Sequence, residues 1–388
     1  MDLTSAFARH FGTLPIFQVS APGRVNLLGE HVDYNDGPVL PIAIDRKVRL
    51  VVAPSGDDTI SLYSLDMGKQ VSFHLDELNK KVAIDGQELP YWARYPAGVA
   101  WSLKEAGLSV VGMKGVYTSD VPIGAGLSSS AAVEVAFAVA WQAIGGWNLD
   151  RLTLAQLCQR AENKYVGVNC GLMDQFASAC GEKDHALYFD TRSLEWEPVS
   201  LLPDTAVVIA DSGVRRSLSN SAYNERRAAC EDAVVLLRKY LPGIRSLRDV
   251  SVIEYAAYSE YLPPVTRRRA EHVVKEIARV HSAVRALQLE DIQSFGALMY
   301  AGHASLRYLY EVSIPELDAL VEIARSLPGC RGARLTGAGF GGCTVNLVKE
   351  SKAGEFVEGM VKTYQQKTGR HAEVYLCRAS EGARVESV

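Results

Sequence analysis

The stretch Gly124-Ala125-Gly126-Leu127-Ser128-Ser129-Ser130-Ala131 has the composition of an anion cradle. Its glycines let the backbone turn tightly and approach a ligand, and its serines offer hydroxyls and N-caps. The apolar run behind it, Ala131 to Ile144, would aim free N–H groups and a positive dipole end at the loop. A phosphate group fits such a cradle, although a plain glycine-rich turn into a capped helix uses the same residues. A second concentration of chemistry lies upstream, where Arg24, Glu30, His31 and Asp33 crowd between Gly23 and Gly37. Donors and acceptors at several heights suit a polyhydroxylated ligand such as a sugar; a solvated loop with local ion pairs would need no other charges. Asp174, where Asn169 to Phe176 turns into a helix, reads by itself as an N-terminal acid favourable to the dipole. Gly337 to Gly342 satisfies GxGxxG, but the strand pattern Cys343 to Val348 follows it, so no helix N-terminus awaits a pyrophosphate. We read it as a turn that closes over a ligand or packs one backbone against another.

The elements that must position these groups follow from periodicity. Phe17 to Ser20, Val39 to Ile44 and Val48 to Val52 read as strands that hold the Arg24 to Asp33 segment against a sheet. Thr59 to Tyr63 and Gln70 to His74 form a hairpin pattern, and Trp92 to Lys104 a helix. A strand at 115–118 feeds the serine-rich loop and its buried helix, and Thr153 is placed to cap a helix running to Val166. Strands at Ala186 to Phe189 and Ala206 to Ala210 put a domain boundary near residue 200. Helices follow at Tyr223 to Tyr240, Val265 to Leu287, Ile292 to Tyr300 and Ile314 to Leu327. A strand, a helix at Ala353 to Thr363 and a strand at Ala372 to Leu376 close the chain. Helices alternating with antiparallel strands indicate α+β architecture in two domains, 1–200 and 201–388.

With 388 residues, 48% hydrophobic and 22% charged, the chain can bury a core in each domain. The formal net charge of −4, with Lys and Arg scattered, offers no electrostatic footprint for nucleic acid, so a small-molecule partner is expected. Seven cysteines without a CxxC pair argue against a disulfide framework and a structural zinc site and favour a reducing cytoplasm. The N-terminus lacks the pattern of a signal peptide, and the run Ala131 to Ile144 is shorter than the roughly 20 residues a membrane span needs.

In order, spacing and residue type the three glycine-containing segments match one family: the chain resembles the galactokinases of the GHMP small-molecule kinase superfamily. Gly23-Arg24-Val25-Asn26-Leu27-Leu28-Gly29-Glu30-His31-Val32-Asp33-Tyr34 resembles the galactokinase signature, Pro122 to Ala132 the superfamily's ATP-phosphate loop, and Leu335 to Thr344 its C-terminal glycine motif. Val32 stands where the family usually has threonine, and Arg94 and Ala97 where relatives often carry Asn and Lys, which would alter the rim near the nucleotide. The resemblance implies an N-terminal mixed-sheet domain of ribosomal-protein-like type and a C-terminal ferredoxin-like domain, with the active site in the cleft between them. It implies Arg24 and Asp174 as the catalytic pair at the sugar's C1 hydroxyl, and Glu30, His31, Asp33, Gly171 and Tyr223 as sugar-binding positions. Gly124, Ala125, Gly126, Leu127, Ser128, Ser129 and Ser130 would hold ATP, with Trp92 near adenine, and Ser130 and Glu162 would hold Mg²⁺. The implied reaction is phosphorylation of galactose by ATP at C1, in a cytoplasmic monomer or weak homodimer. An N-acetylgalactosamine, arabinose or mevalonate-type kinase keeps the superfamily but changes the acceptor, and the Glu30-His31-Asp33 set lowers the mevalonate reading most. A catalytically inactive sugar sensor is the reading from another class, against which the retention of Arg24, Asp174, Ser130 and Glu162 argues. Arg24 and a helix N-terminus would both stabilise the Asp174 carboxylate and weaken it as a base. With a loose phosphoryl-transfer transition state, orientation of the hydroxyl plus late proton acceptance is the expected role.

Overall fold

The computed structural model describes residues 2–215 and 219–386. Helix α1 (Leu3–Phe11) leads into β1 (Phe17–Asn26), followed by β2 (Pro38–Val39), β3 (Pro41–Pro54), β4 (Thr59–Ser64) and β5 (Lys69–His74). Next come α2 (Tyr91–Glu105), β6 (Met113–Ser119), α3 (Ser129–Gly145), α4 (Arg151–Arg160) and α5 (Met173–Cys180), then β7 (His185–Asp190), β8 (Trp196–Ser200) and β9 (Thr205–Asp211). Helices α6 (Ser219–Leu237), α7 (Val252–Tyr258), α8 (Pro264–Gln288), α9 (Ile292–Ser305) and α10 (Pro315–Ser326) follow. Strands β10 (Cys330–Leu335) and β11 (Cys343–Lys349), helix α11 (Ala353–Thr368), and strands β12 (Glu373–Cys377) and β13 (Arg384–Glu386) complete the described chain.

The first sheet runs β13-β1-β3-β6-β4-β5. It is mixed, because β4 pairs with β6 in parallel while every other neighbour is antiparallel. Helix α3 packs on β1 and β3, and its buried side chains, from Ala131 to Trp141, explain why that stretch is apolar almost all round. The second sheet, β10-β11-β9-β12, is wholly antiparallel and carries α9, α10 and α11. The chain thus has the α+β build with a mixed first sheet that the resemblance implies. A small sheet, β2-β7-β8, lies beside these two.

One core cluster joins the two main sheets. Val25, Leu27 and Leu28 of the β1 segment meet Ala125 and Leu127 of the serine-rich loop, Val207 and Ile209 of β9, and Val345 and Leu347 of β11, all buried. The loop is therefore anchored by its apolar members while its glycines and serines stay available.

Several local expectations need correction. Asp150, not Thr153, caps α4: its side chain accepts from the Thr153 N–H and hydroxyl, as an acid three residues ahead of a backbone donor can. The helix does not run evenly to Val166 but passes into a π turn over Ala161–Val166, the kind of bulge that re-aims side chains at functional sites. The Val39–Ile44 and Val48–Val52 runs are mostly one long strand, β3.

Candidate active site

A cavity of about 300 Å³ lies where the β1 segment, the serine-rich loop, α5 and the 337–338 turn converge. Of the residues singled out in the sequence, Arg24, Glu30, His31, Asp33, Gly124, Gly126, Ser128, Ser129, Ser130, Glu162, Gly171, Asp174 and Tyr223 line it. Ala125 and Leu127 face the core instead, fully buried. Trp92 is not among the lining residues; its ring packs 6.0 Å from that of Tyr117.

Arg24 reaches the cavity because β1 is bulged against β3 between Pro22 and Arg24, which re-aims the side chain. Its backbone N–H donates to the Leu127 carbonyl at 3.1 Å and its Nη1 to the Gly126 carbonyl at 2.7 Å. Nε and Nη2 both donate to Asp174 Oδ1, at 2.8 and 2.6 Å. The other carboxylate oxygen accepts from Ser128 Oγ at 2.6 Å. Asp174 stands in the first turn of α5, with its side chain 28% exposed, so a ligand in the cavity can reach it.

The serine-rich loop has the backbone its composition promised. Gly124 and Gly126 take φ of 71° and 84°, the left-handed region that glycine enters without steric cost. Ser128 adopts a φ of 58°, uncommon for a residue with a side chain. It occupies the N-cap position of α3 but makes no capping bond, since its hydroxyl is committed to Asp174. The expectation of a serine cap fails here for that reason, and the first N–H groups of α3 keep their capacity for an anion.

Opposite this loop, Asp33 is half-buried, and burial together with the charge of Asp174 pushes its carboxyl up to about 6. A Cβ at Gly171 would stand 1.8 Å from Asp33 Oδ2, so the absence of a side chain at 171 is what admits that carboxylate. His31 Nδ1 lies 2.9 Å from the Tyr34 hydroxyl and Nε2 3.2 Å from the Ala338 carbonyl. The ring of Tyr223 lies 5.6 Å from that of His31 and 5.3 Å from that of Tyr34, giving an aromatic wall.

Glu30 lines the cavity, yet both of its oxygens are engaged. Oε1 accepts from the Gly337 N–H at 3.0 Å, and Oε2 lies 2.7 Å from Arg334 Nη2. Burial pushes this carboxyl up to about 7, with Arg334 acting against the shift. Arg334, on β10, is fully buried between Glu30 and Glu276 of α8, and its Nη1 donates to Glu276 Oε1 at 2.8 Å and to the Leu27 carbonyl at 3.2 Å. Glu276 also accepts from the Gly29 N–H at 2.9 Å and from Arg279 Nε at 2.6 Å. Burial would raise the Glu276 carboxyl, but Arg334 and Arg279 more than offset it and hold it well below the usual range. This ionic cluster was missed in the sequence. An arginine inside the apolar strand pattern preceding the glycine motif was the available signal.

The π turn delivers Glu162 to the cavity. Its Oε2 accepts from Cys170 Sγ at 3.2 Å and from Gln175 Nε2 at 2.6 Å, and the Ser130 hydroxyl acts to stabilise its carboxylate. Burial pushes Glu162 up to about 7, the Asp174 charge adding to the effect. The 337–342 turn is seated backbone on backbone: Cβ atoms at Gly339 and Gly341 would meet the carbonyls of Val312 at 2.3 Å and Val214 at 2.6 Å. Its N–H at Gly337 and carbonyl at Ala338 are what it presents to the cavity groups.

Residues 5–54 match the galactokinase galactose-binding signature, residues 94–182 the GHMP kinases N terminal domain, and residues 283–366 the GHMP kinases C terminal domain. The chain is 46% identical over 381 residues to a galactokinase of Roseiflexus sp. (strain RS-1), covering 98% of this chain and 96% of that one. It is 44% identical over 380 residues to a galactokinase of Chloroflexus aurantiacus, with the same coverage of 98% and 96%. Among solved structures, Lactococcus lactis galactokinase complexed with galactose superposes with a TM-score of 0.93 at 35% identity over 98% of both chains. The mevalonate kinase of Methanococcus jannaschii shares the fold, with a TM-score of 0.67 at 20% identity, covering 96% of this chain and 100% of that one. The chain belongs to the galactokinase family of GHMP kinases.

Proposed function

We propose that this member of the family transfers the γ-phosphoryl group of ATP to the C1 hydroxyl of galactose, giving galactose 1-phosphate and ADP. The observation that carries the reading is the Arg24–Asp174 pair, tied to the serine-rich loop through the Gly126 carbonyl and Ser128 hydroxyl and facing a wall of sugar-compatible polar groups. Phosphoryl transfer asks mainly for in-line positioning and neutralisation of charge, and this arrangement brings acceptor and donor sites within one cavity.

Gly124 to Ser130 and the uncapped N–H groups of α3 take the nucleotide phosphates in this reading, with Trp92 toward the adenine side. Asp174 orients the C1 hydroxyl and takes its proton late; Arg24 fixes the carboxylate and carries positive charge beside the transferring group. Asp33, His31 and Tyr223 hold the sugar with the Gly171 backbone, and Glu30 supports them from behind through Arg334 and Gly337. Ser130 and Glu162 suit magnesium: a hydroxyl and one carboxylate beside a phosphate loop are a typical protein share of a site that phosphates and waters complete. When bound, magnesium would neutralise phosphate charge. Residues 1–200 thus supply the sugar signature and phosphate loop, and 201–388 close the cleft. The described cysteines are all free, as suits a reducing cytoplasm.

The test is a panel of hexoses, N-acetylhexosamines and pentoses assayed with ATP and magnesium, with the phosphate position of each product determined. Galactose 1-phosphate is the expected main product. Tight binding of galactose and ATP without turnover would instead identify a sensor.

A further inference from the structure

Asp174 and Gln175 are neighbours on α5, but their side chains differ in exposure. Asp174 opens to the cavity, whereas Gln175 is fully buried. The Gln175 amide nitrogen donates to Glu162 Oε2 at 2.6 Å and to Glu134 Oε2 of α3 at 2.9 Å. Cys170 Sγ lies within donating reach of that same Glu162 oxygen, at 3.2 Å, and of Asn163 Oδ1, at 3.3 Å; the same Asn163 oxygen accepts from the Cys170 N–H at 2.9 Å and so fixes the cysteine. The Gln175 amide, with the Cys170 thiol beside it, holds Oε2 and leaves Oε1 outside its hold. The donor types also matter. A lysine at 175 would cancel the negative charge that a cation needs, and an acid would repel both glutamates. An amide orients a carboxylate without neutralising it.

We infer that Gln175, assisted by Cys170, is a positioning residue that holds Glu162 as a ligand for the nucleotide-borne cation. This rests on the reading of Glu162 as a cation ligand given above. Because Gln175 follows Asp174 in the same helical turn, one rigid element sets both the acceptor carboxylate and the cation carboxylate.

The probe is Mn²⁺ with ADP, its binding read by electron paramagnetic resonance of the full-length protein. Gln175→Met keeps the volume and removes the donor. Outer-shell partners of a ligand are worth about ten- to a hundredfold in metal affinity, and a weakening in that range is expected, with metal-free ADP and galactose affinities unchanged. Cys170→Ala should weaken Mn²⁺ binding several-fold and Cys170→Ser should restore it; this pair decides the matter if Gln175→Met does not fold. Unchanged Mn²⁺ affinity in Gln175→Met and Cys170→Ala, alongside a clear loss in Glu162→Gln, overturns the inference alone. An equal loss of galactose affinity also overturns it, by showing a general structural role. If Glu162→Gln leaves Mn²⁺ binding intact, the reading of Glu162 falls and the inference falls with it.

Discussion

Two arginine–carboxylate assemblies flank the sugar-signature segment, and they are built differently. Arg24 and Asp174 form a single pair whose carboxylate is open to the cavity and shared with a serine of the phosphate loop. Arg334 is sealed away between Glu30 and Glu276, with 0% of its side chain exposed, and it grips the Leu27 carbonyl as well. An open pair can exchange a protein partner for a ligand with little loss, because water and ligand replace what is given up. A sealed one cannot, since removing any member strands a buried charge. The difference separates a site for chemistry from a support that holds the chemistry in place.

The largest effect that would sharpen this contrast is on turnover. Asp174→Asn keeps shape and loses the charge, and kcat should fall by on the order of 10³ to 10⁴ while galactose binding by calorimetry stays detectable. Near-normal turnover would place the chemistry elsewhere. The sealed assembly should respond in stability. Arg334→Met leaves Glu30 and Glu276 buried without their shared partner and should cost about 3–5 kcal/mol in urea unfolding, part of which Glu276→Gln recovers. A loss confined to kcat, with unfolding unchanged, would erase the distinction between the two assemblies.

Smaller effects fall on the sugar wall. Gly171→Ala must displace the Asp33 carboxylate, which a Cβ would meet at 1.8 Å, and galactose affinity should drop by about ten- to a hundredfold with ADP affinity retained. The mildest prediction concerns pH. Because the Asp33 carboxyl is pushed up to about 6, acidification through that value protonates the free protein's acceptor, so KM for galactose should rise several-fold from about pH 7 to about pH 5. Asp33→Asn should flatten the profile. Stability runs the other way: a raised carboxyl favours the native state while protonated, so its contribution is present at low pH and lost as pH rises through about 6. Ligand-free unfolding measured across this window should therefore show Asp33→Asn losing its advantage below about 6.

The open assembly was legible in the sequence because it uses strong local punctuation. Glycines at 124 and 126 before an apolar helix, and four ionisable residues between turn signals, are visible within single short windows. The mixed sheet was legible through its period-two runs, and the β4–β5 hairpin appears where alternation placed it. The sealed assembly was not, since Arg334 and Glu276 are 58 residues apart and each looks like an ordinary polar residue in its own window. Gln175 escaped for the same reason: its two glutamate partners lie 41 and 13 residues away. Strand β8, with most of its residues exposed, lacks the buried alternation that makes a strand readable. Ser128 was recognised as a loop residue, but its choice of Asp174 over the helix end depends on the tertiary approach of α5.

Strand β13 raises a question of timing. It pairs with the outer edge of β1, and Glu386 accepts from Ser20 Oγ at 2.6 Å across 366 residues of chain. During synthesis, the β1 edge is made long before its partner. An unpaired edge of that kind is a template for wrong pairing with another nascent chain, and the loop to be closed spans 366 residues. Capture of the first sheet's rim by β13 thus completes that sheet late, and a chain held before residue 384 would be the form most in need of a chaperone.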